Sequence, residues 1–285
     1  MEWHIKGKKV LITGATSGIG FAASLELLRL GADVCIVSRD MSRCKAARDL
    51  ISEKTGADVG CYTADLSSFR QIRHFAGRFI SEHDGVDVLI NNVGAIFKHR
   101  IESEDCIEMT FALNHLGHFL LTYLLLPLVK KNAPSRIINV SSAAHWFGRM
   151  HFDDLQFIKR YSPLRAYSQS KLANILFTRE LAERLKGSGV TVNCLHPGIV
   201  NTGFGIDRQN GKRFGIGWLN LLGISPERGA ETIVYLACSP DVDWVTGEYC
   251  VKKRIAPVSR EARNREKGKM LWELSEKMTG IGQIE

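Results

Sequence analysis

Short apolar runs of strand length alternate along the chain with longer segments whose apolar residues recur at helical spacing. The runs Lys9–Thr13, Asp33–Ser38, Asp58–Thr63, Val86–Asn91, Arg136–Ser141, Thr191–His196 and Glu248–Val251 predict strands. Between them, Gly18–Leu30, Ser42–Glu53, Ser68–His83, Glu104–Lys130, Pro163–Lys186 and Pro226–Cys238 predict helices. The strand runs are almost continuously apolar rather than alternating, which suits strands covered on both faces. Repeated strand–helix alternation builds a doubly wound parallel sheet with right-handed crossovers. An α/β single domain over residues 1–285, with about seven strands and helices on both faces, is the expectation.

Two segments resist this pattern. Ala143–Ser162 separates a strand from a long helix, and Asn201–Ile224 is rich in glycine and apolar residues. Long irregular segments in compact domains are usually functional or mobile. Residues 201–224 read as a substrate lid, in which Phe204, Phe214, Trp218, Leu219, Leu221 and Leu222 join Trp146 and Phe147 in an apolar cover. The alternative is that these aromatics pack a subunit contact or the core. Residues 252–285 form a basic C-terminal extension, partly helical near Glu261–Met278. The most apolar stretch, Phe119–Val129, is interrupted by Thr122, Tyr123 and Pro127 and reads as a buried helix, so no transmembrane segment is expected.

Charge changes this picture little. The formal net charge is +8, but acids are interleaved with the bases, even in the dense stretch Lys252–Lys269. Most of it reads as solvated surface. Part is available to steer a phosphate-bearing cofactor or to touch an anionic bilayer peripherally. No zinc-finger spacing or aromatic-interleaved basic strand supports nucleic-acid binding. The seven cysteines are scattered without a CxxC pair, which points to reduced thiols, a cytoplasmic setting and no metal site.

The first strand runs into Gly14, Thr16, Ser17, Gly18, Ile19 and Gly20, which open the first helix. Glycines there let backbone N–H groups approach a pyrophosphate, and the helix N-terminus adds a favourable field. The second strand ends at Ser38–Arg39, where an acid would accept from the ribose of NAD(H). A small residue beside a guanidinium leaves room for a 2′-phosphate, so NADP(H) is expected over NAD(H), unless Arg39 is a solvated surface side chain. Asp65–Leu66 follows the third strand. Asp65 reads equally as a contact to adenine or as a helix N-cap. Asn91 and Gly94, at the end of the fourth strand, tie backbone together and allow close approach to a cofactor.

Tyr167 and Lys171 share one helical face at i and i+4. An ammonium beside a phenol lowers its pKa and suits it to exchanging a proton with a carbonyl or alcohol oxygen. A second match, Tyr249 with Lys253, lies on the last strand and the tail and reads as chance. Ser142 ends the fifth strand, at the sheet edge where ligands bind, and is a candidate to hold the substrate oxygen. Asn114, within a helix, is a candidate to hold a water linking Lys171 to solvent, or else a core amide. Pro197, Gly198 and Thr202 follow the sixth strand and are candidates to hold the nicotinamide carboxamide. His196 reads as packing.

These motifs, in this order over roughly residues 7–251, resemble the short-chain dehydrogenase/reductase family, which implies a Rossmann-type fold. Asn114–His115–Leu116–Gly117–His118–Phe119, Ser170–Lys171–Leu172–Ala173–Asn174, Leu181 with Leu185, and the tail Ala262–Arg263–Asn264 with Leu271–Trp272 are similar to its retinol dehydrogenase branch. The resemblance implies an NADP(H)-dependent alcohol dehydrogenase or carbonyl reductase acting on lipophilic aldehydes, ketones or alcohols such as retinoids. It implies Tyr167 as the acid/base, Lys171 lowering its pKa and holding the nicotinamide ribose, Ser142 orienting substrate and Asn114 supporting a proton relay. Family members are commonly homo-oligomers. Two departures stand out: many relatives begin with a membrane anchor whereas Val10 here already opens a strand, and Val93 stands where alanine is commoner. A competing reading is a nucleotide-sensing interaction protein with vestigial catalysis.

Overall fold

The computed structural model describes residues 3–201 and 223–282. Strands β1 (Lys9–Thr13), β2 (Asp33–Ser38), β3 (Gly60–Thr63), β4 (Val88–Asn91), β5 (Ser135–Val140), β6 (Val190–His196), β7 (Tyr249–Val251) and β8 (Arg254–Ile255) form one sheet. Their order is β3-β2-β1-β4-β5-β6-β7-β8, parallel except for the last pair. The chain reverses direction across the sheet between β1 and β4, which opens a crevice at the carboxyl ends of those strands.

The helices are α1 (Gly18–Arg29), α2 (Met41–Thr55), α3 (Phe69–Glu82), α4 (Met109–Phe111), α5 (Gly117–Lys131), α6 (Pro163–Arg184), α7 (Pro226–Cys238) and α8 (Arg265–Thr279). Two apolar layers follow from the sheet being covered twice. On one face Leu27, Ala47 and Ile51 of α1 and α2 and Ile233 and Leu236 of α7 pack with Ile12, Ile36 and Ile90. On the other, Phe75, Phe79, Phe119, Leu125 and Leu172 of α3, α5 and α6 pack with Leu11, Leu89 and Ile137. Trp272 of α8 meets Phe119 edge-on at 4.9 Å and stacks on Phe177 at 6.0 Å, so the basic C-terminal stretch contributes to this second layer.

The segment Met109–Lys131 is long and apolar enough to cross a membrane by composition alone, but 78% of the apolar 18-residue window within it is buried in the fold. The expected helix Glu104–Lys130 begins later than its pattern suggested. Cys106 takes a positive φ of 58°, and the buried Glu108 carboxylate accepts from the N–H groups of Thr110 and Phe111, capping the helix at that point. Between α4 and α5 the helix widens into a π turn, Ala112–Leu116. The eighth strand was not foreseen, because the hairpin turn is made by Lys252 and Lys253 at φ 50° and 63°, where turn chemistry favours Gly or Asn. Tyr249 therefore sits on β7 and Lys253 in a turn, paired with Glu231, and the second Tyr–Lys spacing has no helical face to share.

Candidate active site

The glycine loop is shaped by its backbone. Gly14 and Gly18 take φ values of 68° and 59°, which side-chain-bearing residues rarely adopt. Asn92 pins the loop from the end of β4: its amide donates to the carbonyls of Thr13 at 2.8 Å and Gly14 at 3.2 Å. Thr13 closes the joint by accepting from the N–H groups of Asn92 and Val93. Ser17 stands at the N-cap of α1 without a side-chain cap bond. Among the described residues, no side-chain cap bond closes the start of that helix, at the carboxyl end of β1.

At the other end of the cofactor crevice, Ser38 is buried and Arg39 is exposed, and Arg39 has no ion pair among the described residues. Asp65 does not cap the following helix. Ser68 does, accepting from Gln71, while the Asp65 carboxylate accepts from the N–H and hydroxyl of Ser67. Leu66 is buried beside it. Asn91 points into the sheet layer, where its amide donates to Thr122 and Asn139, both at 2.8 Å.

Ser142, Tyr167, Lys171 and Asn114 converge from three elements. Ser142 follows β5 and caps the 3-10 turn Ala143–Phe147 by accepting from Ala144. Its hydroxyl stands near enough to the Tyr167 phenol on α6 to pull that phenol's pKa down. One turn further along α6, the Lys171 ammonium donates to the Val140 carbonyl at 3.1 Å and lies 5.7 Å from the Tyr167 ring centre. Gly94 borders this group: a methyl there would come within 3.1 Å of Lys171 Nζ and 3.6 Å of Asn114 Oδ1. Asn114 projects from the π turn. It accepts from the Ala95 N–H, and donates to the Ala95 carbonyl and to Ser170 Oγ. π turns recur at functional sites because the extra residue re-aims a side chain out of the helical ladder.

Burial governs the electrostatics. It pushes the Tyr167 phenol up to about 12, against the Ser142 hydrogen bond, which pulls it down. It pushes the Lys171 ammonium down to about 8. A phenol lowered by its neighbouring ammonium is thus not what the protein groups alone produce: the ammonium is aimed at Val140, and desolvation outweighs its field.

Residues missed by the spacing arguments complete the site. His145 donates from Nδ1 to the Ser142 carbonyl at 2.8 Å and accepts the Ser259 N–H at Nε2, which fixes its neutral tautomer behind Ser142. Ser170, lying between Tyr167 and Lys171 in the sequence, joins Asn114 to the Tyr167 carbonyl. Gly198 follows β6 with φ 93°, and burial pushes His196 down to about 4, consistent with packing. Pro197 and Gly198 lie at the carboxyl end of β6; Thr202 and the lid aromatics of 204–222 fall outside the described residues. Trp146 and Phe147 are exposed. All seven cysteines are free, and no metal-holding cluster occurs among the described residues.

The sheet order, the glycine loop and the Ser–Tyr–Lys–Asn convergence coincide with a match of residues 8–212 to the short-chain dehydrogenase family. The chain belongs to that family. Within it, the chain is 44% identical to mouse Retinol dehydrogenase 14, over 96% of this chain and 86% of that one. It is also 44% identical to human Retinol dehydrogenase 13, over 97% and 86%. These relatives place it in the retinol dehydrogenase branch. A solved uncharacterized protein from Mycobacterium Paratuberculosis superimposes with a TM-score of 0.80 at 33% identity, covering 98% of this chain and 96% of that one. L-sorbose reductase from Gluconobacter frateurii, solved with NADPH and L-sorbose, shares the fold at a TM-score of 0.67 and 24% identity, over 87% and 96%. This short-chain dehydrogenase is accordingly an oxidoreductase of CH–OH groups and their carbonyls. Its residues fit a nicotinamide dinucleotide: Gly14 and Gly18 at positive φ shape the loop between β1 and α1, and the Ser17 side chain makes no cap bond at the start of that helix.

Proposed function

We propose that the protein reduces lipophilic aldehydes or ketones with NADP(H), with Tyr167 as the proton donor. The observation that carries this reading is the placement of Ser142 beside the Tyr167 phenol at the carboxyl end of β5, with Lys171 one helical turn away. A phenol held up near 12 stays protonated at neutral pH, as a donor to a carbonyl oxygen must be. Ser142 holds that oxygen. Lys171 supplies positive charge beside the phenolate that remains and, by family resemblance, holds the nicotinamide ribose. The bound dinucleotide supplies the hydride to the carbonyl carbon. Asn114 keeps the Ala95 backbone and Ser170 in register behind the pair.

NADP(H) is favoured over NAD(H) by Ser38 and the unpaired, exposed Arg39 at the end of β2, where a guanidinium can take a 2′-phosphate bidentately. The lipophilic class is supported by the retinol dehydrogenases among the relatives. Replacing Tyr167 by Phe keeps the ring and removes the proton, so turnover of a lipophilic aldehyde should fall by about 10²–10⁴ while dinucleotide binding persists. Unchanged turnover would overturn the assignment.

A further inference from the structure

The segment from Ser142 into the first turn of α6 has two distinct sets of apolar side chains. Met150, Leu155 and Phe157 are buried, as a loop covering a core requires. Phe147, Ile158, Trp146 and Leu164 are instead 80%, 71%, 51% and 44% exposed. The turn presenting Ile158 is built rather than frayed: Phe157 takes a φ of 48°, and the two Asp154 carboxylate oxygens accept the N–H groups of Ile158 and Lys159. A single exposed apolar residue needs no explanation, but several on one short segment mark an interaction surface.

Cations lie among these tips. Phe147, Arg149, His151 and Arg165 line one open pocket of about 280 Å³, with no acid in its wall. Arg165 lies 5.3 Å from the Phe157 ring and meets His151 Nε2 at 3.2 Å. Since a guanidinium only donates, that nitrogen accepts. Lys159 and Arg160 are exposed immediately after Ile158. Of the two acids nearby, Asp154 is committed to the turn and Asp153 is exposed.

We propose that this face docks on an anionic phospholipid bilayer, the Arg149–Arg165 pocket taking a lipid phosphate while Trp146, Phe147, Ile158 and Leu164 enter the boundary between headgroups and acyl chains. Apolar tips interleaved with cations match such a surface, which rewards shallow apolar insertion and positive charge together. A protein groove would call for one continuous apolar strip, and a soluble anion would leave the four exposed apolar side chains without a role. The segment starts at Ser142 and ends just before Tyr167, so docking turns the mouth of the site toward the phase in which a lipophilic substrate dissolves. That last consequence rests on the proposed substrate class; the docking itself does not.

Co-sedimentation of the full chain with phosphatidylcholine vesicles, with and without phosphatidylserine, tests the proposal. Binding is expected only with the anionic lipid. Raising salt from about 0.1 M to about 1 M shortens the screening length from about 10 Å to about 3 Å and should weaken it. Phe147→Ser with Ile158→Ser, and separately Arg149→Glu with Arg165→Glu, should each reduce binding by about tenfold or more. Lys252→Glu with Lys253→Glu, a matched charge change at the β7–β8 turn, should leave binding unchanged. An unaltered thermal midpoint in each variant shows that the fold is intact. Absence of binding to anionic vesicles overturns the proposal, and so does equal loss in the Lys252/Lys253 control, which would reduce the effect to net charge. Inorganic phosphate binding in the pocket without vesicle binding would overturn the bilayer and leave a small-anion site.

Discussion

Asn114 reaches across from its π turn to place an amide hydrogen on Ser170 Oγ, 3.0 Å away, and Ser170 donates in turn to the Tyr167 carbonyl at 2.8 Å. The π turn is thereby coupled to the backbone of Tyr167, the proposed proton donor. Asn114→Ala would leave the half-buried Ala95 N–H without its partner at an expected cost of about 1 kcal/mol. A denaturant midpoint lowered together with kcat is the expected result. A fall in kcat with no change in stability would mean that the amide acts only on the reacting groups.

The adenosine end of the crevice can be tested apart from the chemistry. Arg39→Ala should weaken NADPH binding by about ten- to a hundredfold, the scale of a charge-assisted hydrogen bond, and leave NADH binding unaltered. Titrating both dinucleotides against both proteins checks this. Tighter NADH binding by the unaltered chain would refute the NADP(H) preference.

Burial of Lys171 separates activity from stability above neutral pH. Its folded pKa, about 8, lies below the ordinary lysine value of 10.5. Loss of the ammonium should make reductive kcat/KM fall about tenfold per pH unit above about 8. The unfolded chain holds this proton up to about 10.5, so between the two values it binds more protons than the folded one. Stability should therefore rise with pH by up to about 1.4 kcal/mol per unit across that window. The pH profile of turnover and denaturant midpoints at matched pH would check the two opposite slopes.

Acid should weaken the fold through histidines that lack room for charge. Burial pushes His115 down to about 3 and His118 well below its ordinary value, and neither His118 ring nitrogen has a side-chain or backbone partner within hydrogen-bond geometry. Both stay neutral when folded and take up protons when unfolded below about 6.5. Stability is thus full above that pH and declines as pH falls toward the folded values, by up to about 1.4 kcal/mol per unit for each ring. His118→Phe should flatten the slope measured between pH 6.5 and 4, provided it leaves the fold intact at pH 7.

The sheet and its helices were readable because burial on both faces leaves strand-length apolar runs, such as Val34–Val37, that alternate with helical periodicity. The convergence of the candidate residues was readable because Tyr167 and Lys171 sit one helical turn apart and Ser142 follows a strand. What escaped depends on single backbone angles or on partners distant in sequence. Glu108 sets the start of its helix by spending its carboxylate on two N–H groups. Lys252 and Lys253 make a hairpin turn without glycine. His145 matters through Ser259, far away in the chain. The pKa of Tyr167 was misjudged because spacing shows the neighbouring charge and not the loss of water.

After Gly198 the chain makes a parallel bridge, Val200 to Ile224, with Asn201 N–H donating to the Ile224 carbonyl and Ile224 N–H to the Ile199 carbonyl. The two ends of the intervening stretch are therefore held together at one clamped neck. Each doubling of chain length between clamped ends costs about 0.6 kcal/mol in closure entropy. Evolution, or an engineer, can thus change the length between these two residues at little entropic cost while the clamp itself stays closed.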